Sequence, residues 1–113
     1  MLQVTERTDD EVVARLPQDV DLYTTPGLRA VGDRIIDEGC RHLVLDASDT
    51  LHVDSTGITL IITWYRRLDR MGGAVVLTQV QDHLCDLLLR LGLGTVMTIT
   101  RRTARPDSPN GGG

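Results

Sequence analysis

The chain has 113 residues, 41% of them hydrophobic, with 12 basic side chains against 16 acidic ones and a net charge of −4. That length holds one core of ordinary size, and an acidic chain with no basic run interleaved with aromatic residues excludes nucleic acid as a direct partner. All the basic residues besides the histidines are Arg, so P-loop and Schiff-base chemistries, which need a lysine, are excluded as well.

Trp64, Tyr23 and Tyr65 are the only aromatic residues and Phe is absent, so the core is expected to be Leu, Ile and Val, as in an α/β domain. Cys40 and Cys85 form no C-x-x-C pair and read as reduced cytoplasmic thiols. Nothing at the N-terminus resembles a signal peptide, and the apolar runs fall far short of the roughly 20 residues of a membrane span. A soluble cytoplasmic protein that engages no membrane is the expectation.

In chain order, Leu2 to Arg7 and Glu11 to Leu16 read as two strands joined through Thr8-Asp9-Asp10. Thr25 is placed as N-cap of a first helix with Pro26 at its first position, Leu28, Val31 and Ile35 as its buried stripe, and Gly39 at its end. His42 to Ala47 fits a fully buried strand, and Ser48 to Val53 a loop. A second helix is expected from about Ser55, with Ile58, Ile61, Ile62, Tyr65 and Leu68 inward, stopped by Gly72-Gly73. Trp64, Leu60 and Met71 form a second stripe on it, either the flank of the core or, beside Arg67, a partner-binding strip. Ala74 to Thr78 reads as the next strand, and Val80, Leu84, Leu87, Leu88 and Leu91 as the inner face of a third helix closing at Gly92 and Gly94. Thr95 to Ile99 is the expected last strand. Residues 101–113 carry almost no apolar side chains and read as a disordered tail behind a domain of residues 1–100. Strands alternating with helices give a mixed sheet of about five strands, mainly parallel after the hairpin and covered by helices.

Ser55 sits where a strand-loop unit turns into a helix, and a helix start offers unpaired N–H groups and about half a positive charge. A phosphate there is stabilised. Read alone, Asp54 and Ser55 are simple helix caps before they are anything else, and Gly57, lacking a Cβ, would let another molecule approach the backbone. His42, His52 and His83 lack metal-ligand spacing, so no metal is proposed, and no other cofactor. No G-x-S-x-G elbow surrounds Ser55, which leaves a serine hydrolase remote. A phospho-receiver built on Asp46 fails for want of lysine.

The run LVLDASDTLHVDSTG, followed by an Ile-rich helix, Gly-Gly and AVVLT, resembles the STAS domain family over about Leu2 to Ile99. Its best-known members are anti-sigma-factor antagonists. The resemblance implies that Ser55 is phosphorylated by a partner that is both anti-sigma factor and serine kinase, that the unmodified form binds this partner, and that a phosphatase resets the switch. It implies no catalytic group in the domain itself. Asp54 matches the aspartate beside the phosphosite and Asp21 an acidic residue in the loop after the second strand, so Asp21, Asp54, Ser55, Thr56 and Gly57 are the expected partner-binding residues. The alternative within the same fold is a scaffold or ligand-sensing STAS module whose serine is never modified. Gln18 stands where the family usually has glycine, and the sequence after Ile99 has no counterpart of the family's final helix, which would leave an apolar surface for a homodimer.

Overall fold

A computed structural model describes residues 1–102 of the chain. β1 (Gln3–Arg7) and β2 (Glu11–Arg15) form the opening antiparallel hairpin, closed by Thr8 N–H donating to the Glu11 carbonyl at 2.8 Å. There follow β3 (Asp19–Val20), α1 (Thr25–Asp37), β4 (His42–Asp46), β5 (His52–Val53), α2 (Ser55–Arg70), β6 (Ala74–Val80), α3 (Asp82–Arg90), a 3-10 turn at Leu93–Thr95 and β7 (Thr98–Arg101). The main sheet has the order β1-β2-β4-β6-β7, parallel throughout except at β1. This is the expected five-stranded mixed α/β fold.

Strand order rises steadily from β2 to β7, and right-handed crossovers then place all three helices on one face of the sheet. Burial alternates accordingly: Val12, Ala14, Leu43, Leu45, Val75 and Leu77 are buried, whereas Val13, Val44 and Val76, in register across the opposite face, are only half-buried. The strands expected to be buried on both faces are thus covered on one.

α2 is rolled relative to the expected face. Leu60, Ile61, Trp64 and Leu68 are buried, while Ile58, Ile62 and Tyr65 lie at the rim. Trp64 is 0% exposed; its ring fills a notch at Gly32 of α1, and its indole Nε1–H donates to Asp33 Oδ1 at 3.1 Å. Arg67 bridges Asp33 and Asp37 of α1. Of the stripe Trp64, Leu60 and Met71, Trp64 therefore lies in the α1–α2 interface and Leu60 is buried in the core, which leaves Met71 alone exposed.

Other boundaries shift for local reasons. The residue before α1 is Thr24, not Thr25, and it has helical dihedrals and no side-chain cap. Val80 belongs to β6, which bulges after Leu77 with Gln79 at φ 55°. In α3, Leu84, Cys85 and Leu88 face inward, whereas Leu91 lies exposed beyond the helix end. Met97 enters the core from the turn region, so β7 starts only at Thr98. Arg101 is in that strand and pairs with Asp82 and Asp86 at 3.0 and 2.9 Å; of the expected tail, residues 103–113 lie outside the described residues, as does any final helix. Leu89, the 3-10 turn and β7 line an open groove of about 480 Å³. Among the described residues no helix is long and apolar enough to cross a membrane.

Candidate functional site

Two residues of pairing build the site. Asp19 and Val20 of β3 lie parallel to His52 and Val53 of β5, a two-stranded sheet separate from the main one. The segment 48–53, expected as loop, thus ends in a strand. It is held by Leu51 N–H on the Gln18 carbonyl (2.8 Å) and by the buried Thr50 hydroxyl on the Pro17 carbonyl (2.9 Å). Gln18 is exposed and does not have a positive φ, so this loop runs without the glycine usual in the family. Because Val20 and Val53 are in register, the residues that follow them, Asp21 and Asp54, emerge side by side.

Asp54 is the N-cap of α2, in extended conformation. Its Oδ1 accepts from Gly57 N–H at 3.0 Å, and its Oδ2 accepts from Leu22 N–H at 3.1 Å. One carboxylate thus ties the helix start to the loop after β3. Asp21 organises that loop: its Oδ1 accepts from the N–H groups of Tyr23 and Thr24, both at 3.0 Å, while its own N–H donates to Thr24 Oγ1 at 2.9 Å. This reciprocal pair is a capping box one turn ahead of α1, and it engages the Thr24 hydroxyl that would otherwise be free to cap α1.

Ser55 is the first residue of α2, exposed, and its hydroxyl makes no hydrogen bond among the described residues. Gly57 N–H is taken by the Asp54 side chain and Ile58 N–H by the Asp54 carbonyl. The N–H groups of Ser55 and Thr56 are the ones left without intrahelical partners. Thr56 is half-buried. Gly57 is buried against β3, where a Cβ would fall 2.7 Å from Val20 Cγ1 and closer still to the Val20 carbonyl. Its missing side chain serves the chain's own packing against β3.

The surrounding charge is acidic. Asp19, Asp21 and Asp54 form no ion pair among the described residues, and Asp49 is only 3.9 Å from Arg15, which it shares with Asp46. Two residues that the sequence reading passed over stand beside these carboxylates: Leu22 is 61% and Tyr23 89% exposed. Their signal in the sequence is a bulky apolar pair between Asp21 and Thr24 that continues no helical or strand period. Of the histidines, His83 Nε2 lies 2.9 Å from the Leu51 carbonyl and His42 Nδ1 lies 3.9 Å from Asp10. Among the described residues no cluster of three potential metal ligands occurs.

The anti-sigma F factor antagonist of Paenibacillus polymyxa is 28% identical to this chain over 78% of it and 76% of the relative. The anti-sigma factor antagonist SpoIIAA, solved in its unphosphorylated form, superposes with a TM-score of 0.76 at 22% identity, covering 95% of this chain and 90% of that one. The phosphorylated form of the Bacillus cell fate determinant SpoIIAA gives 0.70 at 21% identity, over 95% and 94%. These likenesses establish the shared fold. The STAS domain pattern matches residues 2–105, nearly the whole chain, and the chain belongs to the STAS domain family.

Proposed function

We propose that this protein is an anti-sigma-factor antagonist that binds an anti-sigma factor with serine kinase activity and is switched off when that partner phosphorylates Ser55. The carrying observation is Ser55 itself: an exposed hydroxyl at the first position of a 16-residue helix, next to an aspartate that already caps the helix. Nothing inside the chain uses that hydroxyl among the described residues, so modification costs the fold little. Asp21 and Asp54 shape the surface, and Thr56 contributes an open N–H. The domain contributes no catalytic group; phosphate arrives from the kinase and is removed by a phosphatase. A homodimer through an apolar sheet or helix surface is part of the same reading.

A phosphate adds about −1.5 to −2 charge. In the free protein the helix start offsets its repulsion from Asp54 by about 0.3 to 1 kcal/mol. In a complex the same group must shed water, and a buried charge without a matched partner costs several kcal/mol. Since 1.4 kcal/mol is tenfold in affinity, a micromolar complex would not persist.

The test is phosphopeptide mapping after incubation with ATP and the kinase retained by a Ser55→Ala bait, followed by calorimetric titration of both forms. Phosphate on Ser55 and loss of binding are expected. Phosphate on Ser48 or Ser108 instead, or equal affinity of the two forms, would defeat the reading; a serine that no kinase modifies would favour the scaffold or ligand-sensing alternative.

A further inference from the structure

We infer that Leu22 and Tyr23 form an apolar knuckle that anchors the partner beside Ser55, and that the partner surface receiving it is an apolar pocket rimmed by Arg or Lys; this rests on the reading of Ser55 just given. Bulky side chains exposed to 61% and 89% on a surface are ordinary when they lie on mobile loops. These do not. The backbone beneath them is held by Leu22 N–H on Asp54 Oδ2, by Tyr23 and Thr24 N–H on Asp21 Oδ1, by Asp21 N–H on Thr24 Oγ1, and by Thr25 N–H on the Asp21 carbonyl at 3.0 Å. An anchor fixed before it binds loses little freedom on binding, and a tyrosine with two rotatable bonds loses less than a longer side chain.

The shape and charge of this end decide the occupant. Side chains exposed to 61% and 89% stand out into solvent, so the pair fits a pocket in another macromolecule and does not hold a small ligand. Asp21 and Asp54 hold its backbone and Asp19 stands in the strand before it, none with a cation paired to it among the described residues, so a second copy docking by the same end would meet like charge. An anionic lipid surface is repelled for the same reason. A protein with an apolar pocket and a basic rim is complementary on both counts. Asp54 makes the knuckle continuous with the phosphosite, since its two carboxylate oxygens hold Leu22 and the α2 start together. A kinase gripping Tyr23 would therefore find the Ser55 hydroxyl at a fixed offset.

The experiment uses the purified kinase anti-sigma factor captured by the Ser55→Ala bait. Its affinity is measured by calorimetry for the full chain, for Leu22→Ser, for Tyr23→Ser, and for Leu91→Ser, an exposed leucine beyond α3 that lies outside the site. Tyr23→Ser should weaken binding at least about tenfold, as truncation of an aromatic hot spot does, with unchanged thermal unfolding, and Leu91→Ser should not. Between low and high salt the wild-type affinity should fall, and Tyr23→Ser should keep the same salt slope, because it removes apolar contact and no charge. Affinity within twofold for both Leu22→Ser and Tyr23→Ser, with wild type binding and Ser55 phosphorylated, overturns the knuckle and leaves the switch standing. Absence of wild-type binding together with an unmodified Ser55 removes the switch and the knuckle with it. Self-assembly of the chain abolished by Tyr23→Ser would assign the knuckle to a second copy and overturn the proposal.

Discussion

Two glycines of one helix provide opposite expectations from the same substitution. Gly27 and Gly32 both lie in α1, where alanine is intrinsically better than glycine by about 0.8 to 1 kcal/mol. A Cβ at Gly27 meets nothing within 4 Å, so Gly27→Ala should stabilise the protein by close to that amount. A Cβ at Gly32 falls 2.5 Å from Trp64 Cε2 and 2.9 Å from Cη2, with Cζ2 nearer still. Ordinary carbon contact is about 3.5 to 4 Å, so the ring must retreat by roughly 1 Å or more. It has nowhere to go: Trp64 is fully buried and its indole N–H is tied to Asp33. Overpacking of this kind costs about 1 to 3 kcal/mol, and with the upper value set against the propensity gain, Gly32→Ala should lose about 2 kcal/mol. At about 4 °C per kcal/mol for a chain of this size, Tm should fall by about 8 °C for Gly32→Ala and rise by about 3 to 4 °C for Gly27→Ala. Trp64 is the sole tryptophan, so its emission reports directly whether the ring has been displaced. Equal, stabilising shifts for both variants, with unaltered emission, would refute the packing argument.

Asp33→Ala should cost about 1 to 3 kcal/mol, the penalty for a buried donor left without its acceptor, read as a lower urea midpoint. Phosphorylation of Ser55 should move the unfolding free energy by no more than about 1 kcal/mol, because the helix start and Asp54 act in opposition; unfolding of the modified chain at room temperature would contradict this. Burial pushes the Cys40 thiol up from its ordinary value, so the folded chain keeps that proton to higher pH than the unfolded chain. The stabilisation is complete below about pH 8.5, where the unfolded thiol is protonated, and is lost as pH rises beyond it. Denaturant midpoints at pH 7.5 and 10 should therefore drop further for wild type than for Cys40→Ala, and parallel drops would show that another group governs the alkaline loss.

The elements that repeat a period were legible in the sequence. The three helices and the strands β2, β4 and β6 could be placed because each carries recurring apolar residues bounded by Gly, Pro or Asp, whereas β1 and β7 hold one apolar residue each, Val4 and Ile99, and β7 starts three residues later than expected. What periodicity could not choose was the inward face of α2: Ile58, Leu60, Ile61, Ile62, Trp64, Tyr65 and Leu68 spread over about 200° of its circumference, and the roll is decided by a notch on another helix, at Gly32. Strands β3 and β5 are two residues each, too short for any period, yet they set the adjacency of Asp21 and Asp54. The candidate site residues entered through resemblance to a family, and the chemistry proposed for them through the helix start at Ser55. The double duty of Asp54 was not, because its second partner, Leu22 N–H, is 32 residues away in the chain.

That two-residue sheet has an evolutionary consequence. The loop after β3 is joined to the start of α2 by one short ladder and one carboxylate, and it takes no part in the main sheet. Its local opening energy is then set apart from that of the core, and substitutions at Leu22 or Tyr23 are free of the packing constraints that bind Trp64 or Leu45. On the proposal that Leu22 and Tyr23 meet the partner, rewriting these exposed positions would change the partner while the fold stays insulated from the change.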